Sequence, residues 1–204
     1  MIKIDVPSEA LRDLKRALKS IPEKIPVAIS RSINDASRSA VTLIDREVRA
    51  RYRVSSSDVR SGISRTSSSP SKLEARVTTK GSRFPLFKFG IVARRSDLVI
   101  IEEVKGMRTP LQHYFIAIMD SGHVGIFKRT GEKKRMRSGH YKGKIREGIV
   151  ELFGRARSQM MEAKTVEPKI EEKANAVFQS RMVHHAEFLL KQAAEELKKK
   201  EGKS

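Results

Sequence analysis

The side chains best suited to holding a metal or moving a proton are the five histidines at positions 113, 123, 140, 184 and 185. His184 and His185 are adjacent, so on a helix they point about 100° apart and cannot chelate one ion as an i, i+4 pair would. His123 lies within Gly122-His123-Val124-Gly125. No nucleophile or paired carboxylate stands near it in the sequence, and a glycine-flanked turn is the simpler account. Glu102 and Glu103, read as part of a strand, face opposite sides and form no acid/base pair. There is no Gly-X-Ser-X-Gly step, phosphate loop or dinucleotide fingerprint. The absence of cysteine removes disulfides and thiolate metal sites. These residues predict no catalytic centre, no cofactor and no metal.

The chemistry that remains is charge. The 204 residues carry 43 Lys plus Arg against 24 Asp plus Glu, a net charge of +19. A protein this basic repels copies of itself unless something anionic stands close by, with nucleic acid, an acidic protein ring and anionic lipid as the candidates. The charge is concentrated at residues 128–144, where Lys128, Arg129, Lys133, Lys134, Arg135, Arg137, Lys142 and Lys144 face Glu132 alone. Gly131, Ser138, Gly139 and Gly143 predict a loop that is mobile when free. Its readings are a solvated charge run, a contact for DNA phosphates, or a contact for an acidic subunit. Only Tyr141 is present to stack on a base, so sequence-specific base reading is not expected.

The elements that must carry this arm follow from periodicity. Residues 115–119 and 123–127 are apolar runs around Asp120-Ser121-Gly122, which predicts a β-hairpin. Upstream, residues 2–6 alternate as a short strand, and Ser8 can cap a helix to about residue 20 with Leu11, Leu14 and Leu18 on one face. The strongest helical signal runs over 26–53, with Ile29, Ile33, Ala36, Ala40, Ile44, Val48 and Tyr52 at steps of three and four. Arg31, Arg38, Arg46 and Arg49 form its opposite face, either solvated or packed on a neighbouring subunit. Residues 54–60 predict a cap and one or two helical turns, and 66–71 a Ser-rich loop.

Strands are expected at 73–78, 84–92 and 98–104, with 106–110 as a loop into the hairpin. Pro85 places the second at a sheet edge. Residues 148–153 read as a helical turn or a short extended piece. A last helix runs from Pro168 to about residue 200, with Ile170, Ala174, Phe178, Met182, His185 and Phe188 at helical spacing. The expectation is an α+β fold: about five mostly antiparallel strands, a long helix in the N-terminal half and a long C-terminal helix. The division expected is 1–165 and 166–204, the last helix packing on the same domain or on a neighbouring subunit. No apolar run approaches the roughly 18 residues of a membrane span, and residues 1–5 lack a signal-peptide core, so a cytoplasmic product is expected.

The segments FIAIMDSGHVGIFKRTG and ELFGRARSQMM resemble the phage minor tail protein Z family, the tail completion proteins of long-tailed phages and prophages. Gly122, His123, Gly125, Phe127, Arg129, Glu151, Leu152, Phe153, Gly154, Gln159 and Met160 fit its pattern. Arg157 departs from the usual apolar position before the Gln-Met step. Arg51, Tyr52, Val54, Asp58, Val59 and Arg60 resemble a second family step, and the likeness extends over about residues 25–190. It implies a virion component at the head-proximal end of the tail, assembled in the host cytoplasm and acting in tail assembly and head-tail joining. The implied partners are other copies in a ring, with a hexamer as the expected form, the tail terminator or other neck proteins, and DNA in the lumen. The alternative reading is a non-sequence-specific nucleic-acid-binding protein.

Overall fold

The two long apolar repeats become the two long helices of a computed structural model that describes residues 8–95 and 98–201. The fold is α+β, with long helices and small antiparallel sheets. The strand expected at residues 2–6 lies outside the described residues. The chain divides into two compact units. One is built from residues within 1–47, 62–80 and 161–204, the other from 48–61 and 81–160. This division differs from the expected boundary at residue 165, because the C-terminal helix shares a unit with the N-terminal ones.

In the first unit, α1 (Ser8–Ala17) turns through a 3-10 segment at Pro22–Lys24 into α2 (Ile25–Arg51). Pro26 sits in the first turn of α2, where its missing N–H has no intrahelical partner to lose. The 35-residue α5 (Glu167–Glu201) packs along both. Leu14 and Leu18 of the N-terminal segment, Ile29 and Ile33 of α2, and Phe178, Met182 and Leu189 of α5 are buried together. Ala28, Ala36 and Ala186 are also buried there, and their small size lets the helices approach. Phe188 departs from its expected stripe: it is 49% exposed, with the Arg31 guanidinium 5.9 Å from its ring centre.

A short antiparallel pair, β1 (Ile63–Thr66) and β2 (Arg76–Thr79), completes this unit. The sequence reading missed β1 and started its strand three residues early, at Leu73, which is exposed. The Ser-rich turn between them is held by Asn34 of α2. Its side-chain amide donates to the Ser68 carbonyl at 2.9 Å, and its oxygen accepts from the Ser68 N–H at 2.8 Å.

The second unit takes the last turn of α2 from Val48 and then α3 (Ser56–Arg60), capped by the Ser55 hydroxyl, which accepts from the Asp58 N–H. Then follow β3 (Arg83–Pro85), β4 (Ile91–Arg94), β5 (Leu98–Ile101), β6 (Thr109–Gln112), β7 (Tyr114–Ile118), β8 (Val124–Arg135), β9 (Ile145–Glu151) and β10 (Phe153–Ala156), with α4 (Arg157–Met161) last. Their orders are β10-β3, β4-β5-β6 and β7-β8-β9, all antiparallel.

The described residues therefore form ten strands in four small sheets rather than about five. The strand expected at 84–92 is split by a 3-10 turn at Leu86–Phe89, which closes on Gly90 at φ 87°. The strand expected at 98–104 stops at Ile101, where Glu102 turns inward to accept the Gly106 N–H at 2.8 Å. The expected loop at 106–110 contains the start of β6. Pro110 is tolerated because β6 is an edge strand. Phe84, Phe89, Ile126 and Met160 lie in the core of this unit, with Phe84 edge-on to Phe89 at 5.9 Å.

Candidate functional site: a cationic ribbon

The expected hairpin forms with the expected turn. Ile118 pairs with Val124, and the Gly122 N–H donates to the Met119 carbonyl. The arm beyond it is not a loop. β8 continues through Arg135 and pairs with β9 down to Arg135 opposite Ile145, so residues 128–144 belong to a two-stranded ribbon. The glycines that suggested mobility sit at its bends. Gly139 and Gly143 lie at the tip with φ 78° and 84°, and the tip closes when the Gly143 N–H donates to the Met136 carbonyl.

The ribbon has one irregularity. Arg129 is opposite Ile149 and Lys133 is opposite Glu147, so Thr130, Gly131 and Glu132 together face the single residue Gly148. The bulge is tied down from within. Gly131, at φ 81°, donates its N–H to the Glu147 carboxylate at 2.7 Å, and the Thr130 hydroxyl donates to the Gly148 carbonyl at 3.2 Å. Bulges of this kind bend a ribbon and increase its twist.

Residues directly opposite share a face, so the pairing sorts the cations. Arg129, Lys133 and Arg135 lie on one face with Phe127, Ile149, Glu147 and Ile145. Lys128, Lys134 and Arg146 lie on the other with Val150. The bases of both faces are braced by rings: the Arg129 guanidinium is 5.2 Å from the Phe115 centre, and the Lys128 ammonium 5.8 Å from Tyr114. At the tip, the Arg146 guanidinium is 3.7 Å from the Tyr141 centre, a stacked cation–π contact. Arg146 was absent from the residues singled out by sequence. The alternation of Ile145, Glu147 and Ile149 with Arg146 and Val150 was the signal that could have found it.

Few of these charges are neutralised. Glu147 lies 3.9 Å from Arg129 and is already committed to the bulge; Glu132 lies 2.8 Å from Lys134, with both side chains about 70% exposed. Such an exposed pair contributes roughly 0–1 kcal/mol. Among the described residues, Lys133, Arg135, Arg137 and Lys142 have no acidic partner, and Lys144 has only the Tyr141 ring at 5.9 Å.

The remaining groups considered for chemistry are pinned by packing. His123 does meet a carboxylate, contrary to the sequence reading: its Nε2 is 2.8 Å from Glu151 Oε1, which ties the hairpin turn to the end of β9. Gly125 makes room for this contact, since a Cβ there would lie 2.7 Å from Glu151 Oε1 and 2.9 Å from the Phe127 ring. Gly154 has a similar duty, because its Cβ would lie 2.5 Å from the Phe89 ring.

Glu102 and Glu103 each bind an arginine, Arg53 at 2.9 Å and Arg155 at 3.0 Å. The Gly106 N–H is the main cause holding the Glu102 carboxyl below its usual range; burial opposes it, and Arg53 adds to the lowering. Burial pushes the Asp58 carboxyl up, but Lys88 and the Ser55 hydroxyl outweigh it and the net direction is down. Arg157, the departure from the family pattern, donates to the Asp58 carbonyl at 2.7 Å and stacks 4.3 Å from the centre of Phe84. Tyr52 and Met160 are buried.

Among the described residues no helix is long and apolar enough to cross a membrane. The chain matches no family model, no curated protein and no solved structure.

Proposed function

We propose that this chain is a structural component of a phage particle that completes the head-proximal end of the tail and supports tail assembly and head-tail joining. The observation that carries the reading is the position of the residues behind the family resemblance. Tyr52, Val59, Phe127 and Met160 are core side chains, Gly125 and Gly154 admit close contacts, and Glu151 and Gln159 fix the ends of β9 and β10, all within the unit that bears the ribbon. A pattern of that kind encodes a frame and leaves the ribbon as the surface that frame presents. The proposed particle role needs no catalysis: the copies assemble as a ring, with a hexamer as the expected form, against a tail terminator or neck protein. The proposed location is the virion.

The test replaces Lys133, Lys134, Arg135 and Arg137 together with Ser. The chain should stay folded and still be made in normal amount, while joining of tails to heads in a complementation assay falls. Unchanged joining with the variant incorporated counts against the reading, as does a chain that never sediments with particles. A free nucleic-acid-binding protein is the second reading, favoured by the unpaired cations of the ribbon. It predicts tight DNA binding without any association with tails.

A further inference from the structure

The ribbon's partner can be narrowed from the way its charge is distributed. A flat acidic protein surface would meet one face of a two-stranded ribbon and leave the other in water. Here the cations are split between both faces, Arg129, Lys133 and Arg135 on one and Lys128, Lys134 and Arg146 on the other. Arg137, Lys142 and Lys144 surround the tip. Between residues 128 and 146 there are nine Lys and Arg and one Glu. A surface that must be cationic on both sides fits a ligand that flanks it on both sides.

A groove of duplex nucleic acid is such a ligand. Its walls are two rows of phosphate, and the DNA major groove, about 12 Å wide, admits a two-stranded ribbon. The β8 portion from Lys128 to Arg135 reaches about 25 Å, long enough to cross a groove and its rims. The tip adds apolar and stacking surface among its charges: Ile145 is 64% exposed, and Met136 and Tyr141 are exposed beside it. Glu147, the acid that faces the ribbon's centre, is held by the Gly131 N–H and does not compensate Lys133 or Arg135. The ribbon presents no Asn, Gln or Asp from residue 128 to residue 146. It therefore has cations for phosphate and little for base edges beyond its arginines.

We infer that the ribbon is a sequence-independent arm that inserts into a groove of duplex DNA, gripping phosphates on both of its faces. The inference deepens the reading above, resting on it only for the ribbon being the working surface. Binding of a labelled mixed-sequence duplex by the full chain, followed by anisotropy between about 50 and 200 mM salt, should show a steep loss of affinity with salt. The Lys133, Lys134, Arg135, Arg137→Ser variant should have a log–log salt slope shallower by about 3 to 4, since each phosphate that is no longer neutralised lowers the slope by about 0.9.

A control variant with Arg12, Lys15, Lys19 and Lys191→Gln loses the same charge from exposed positions of the helical unit. It should change the slope by less than about 1. Duplexes of unrelated sequence should bind alike. Equal slope changes in the two variants would overturn the inference. So would displacement of the duplex by polyglutamate of matched charge as readily as by unlabelled duplex, which would assign the ribbon to an acidic protein. Sedimentation with tails tests the particle role separately. A chain that joins tails but passes no salt test loses only this inference, and one that passes it but never meets a tail loses only the particle role.

Discussion

The contact between α2 and α5 and the ribbon both carry basic side chains, and they treat that charge in opposite ways. Asp35 on α2 has two arginines and an imidazole around it: Arg38, Arg181 at 3.9 Å and His185 at 2.9 Å. Glu47, nearly buried, accepts from the Lys173 ammonium at 2.6 Å and lies 3.5 Å from Arg46. Lys173, Arg181 and His185 of α5 thus meet acids of α2 along the contact between the two helices. The ribbon has long, exposed strands with most cations unmatched. Charge that is neutralised internally contributes to one fold, whereas charge left open remains available to a partner. A composition cannot tell these apart, because a lysine counts once whether or not an acid faces it.

Mutations can break this contrast or sharpen it. The largest effect is expected from Phe178→Ala, which empties a fully buried site between the helices. It should destabilise the protein by about 3–5 kcal/mol in denaturant unfolding. Gly154→Ala comes next, at about 1–3 kcal/mol, because the new methyl group must displace Phe89 and Leu86. Both should leave the salt slope for DNA unchanged under conditions where the chain remains folded; a changed slope would mean that packing and the open charge are not separable.

Glu47→Gln should cost about 1 kcal/mol, a modest value because Lys173 still reaches water. Acid should act on the same place. The Lys173 ammonium is the main cause holding the Glu47 carboxyl below its usual range, with burial opposing it. Burial raises the Asp35 carboxyl, but His185 and Arg38 outweigh it and the net direction is also down. A depressed carboxyl stabilises the fold above its unfolded pKa, and that stability is lost as pH falls through the folded value. Thermal midpoints should therefore decline below about pH 4 to 5. The decline should be shallower in Glu47→Gln, and an identical curve would remove this pair from the account. The smallest effect on stability belongs to the four-fold Ser variant of the ribbon. Each substitution should stay within about 0.5 kcal/mol, with a pH curve of wild-type shape.

The long helices were legible because their apolar stripes repeat over many turns, and the first hairpin because Asp120-Ser121-Gly122 separates two clean apolar runs. The ribbon was not, for a physical reason. Its strands bury nothing over most of their length, so Lys133, Lys134 and Arg135 show no alternation of apolar and polar residues. Pairing with β9 is what orders them, and that partner lies ten or more residues away. β1 and β6 were missed for a related reason: each is four residues long, and one contains a proline. The charge itself was read correctly as a cluster, but its two-sidedness depends on a register that no local window contains.

The bulge opposite Gly148 sets a rule for how this arm can vary. From Arg129 to Lys133 the chain takes four steps while β9 takes two, and both numbers are even. Side chains on either flank of the irregularity therefore keep their sidedness. Deleting one residue there would exchange the sides of every position from Lys133 to the tip on that strand alone, setting it out of phase with β9. Viable length variants of the arm should differ by pairs of residues, an evolutionary parity imposed by the pleat rather than by any partner.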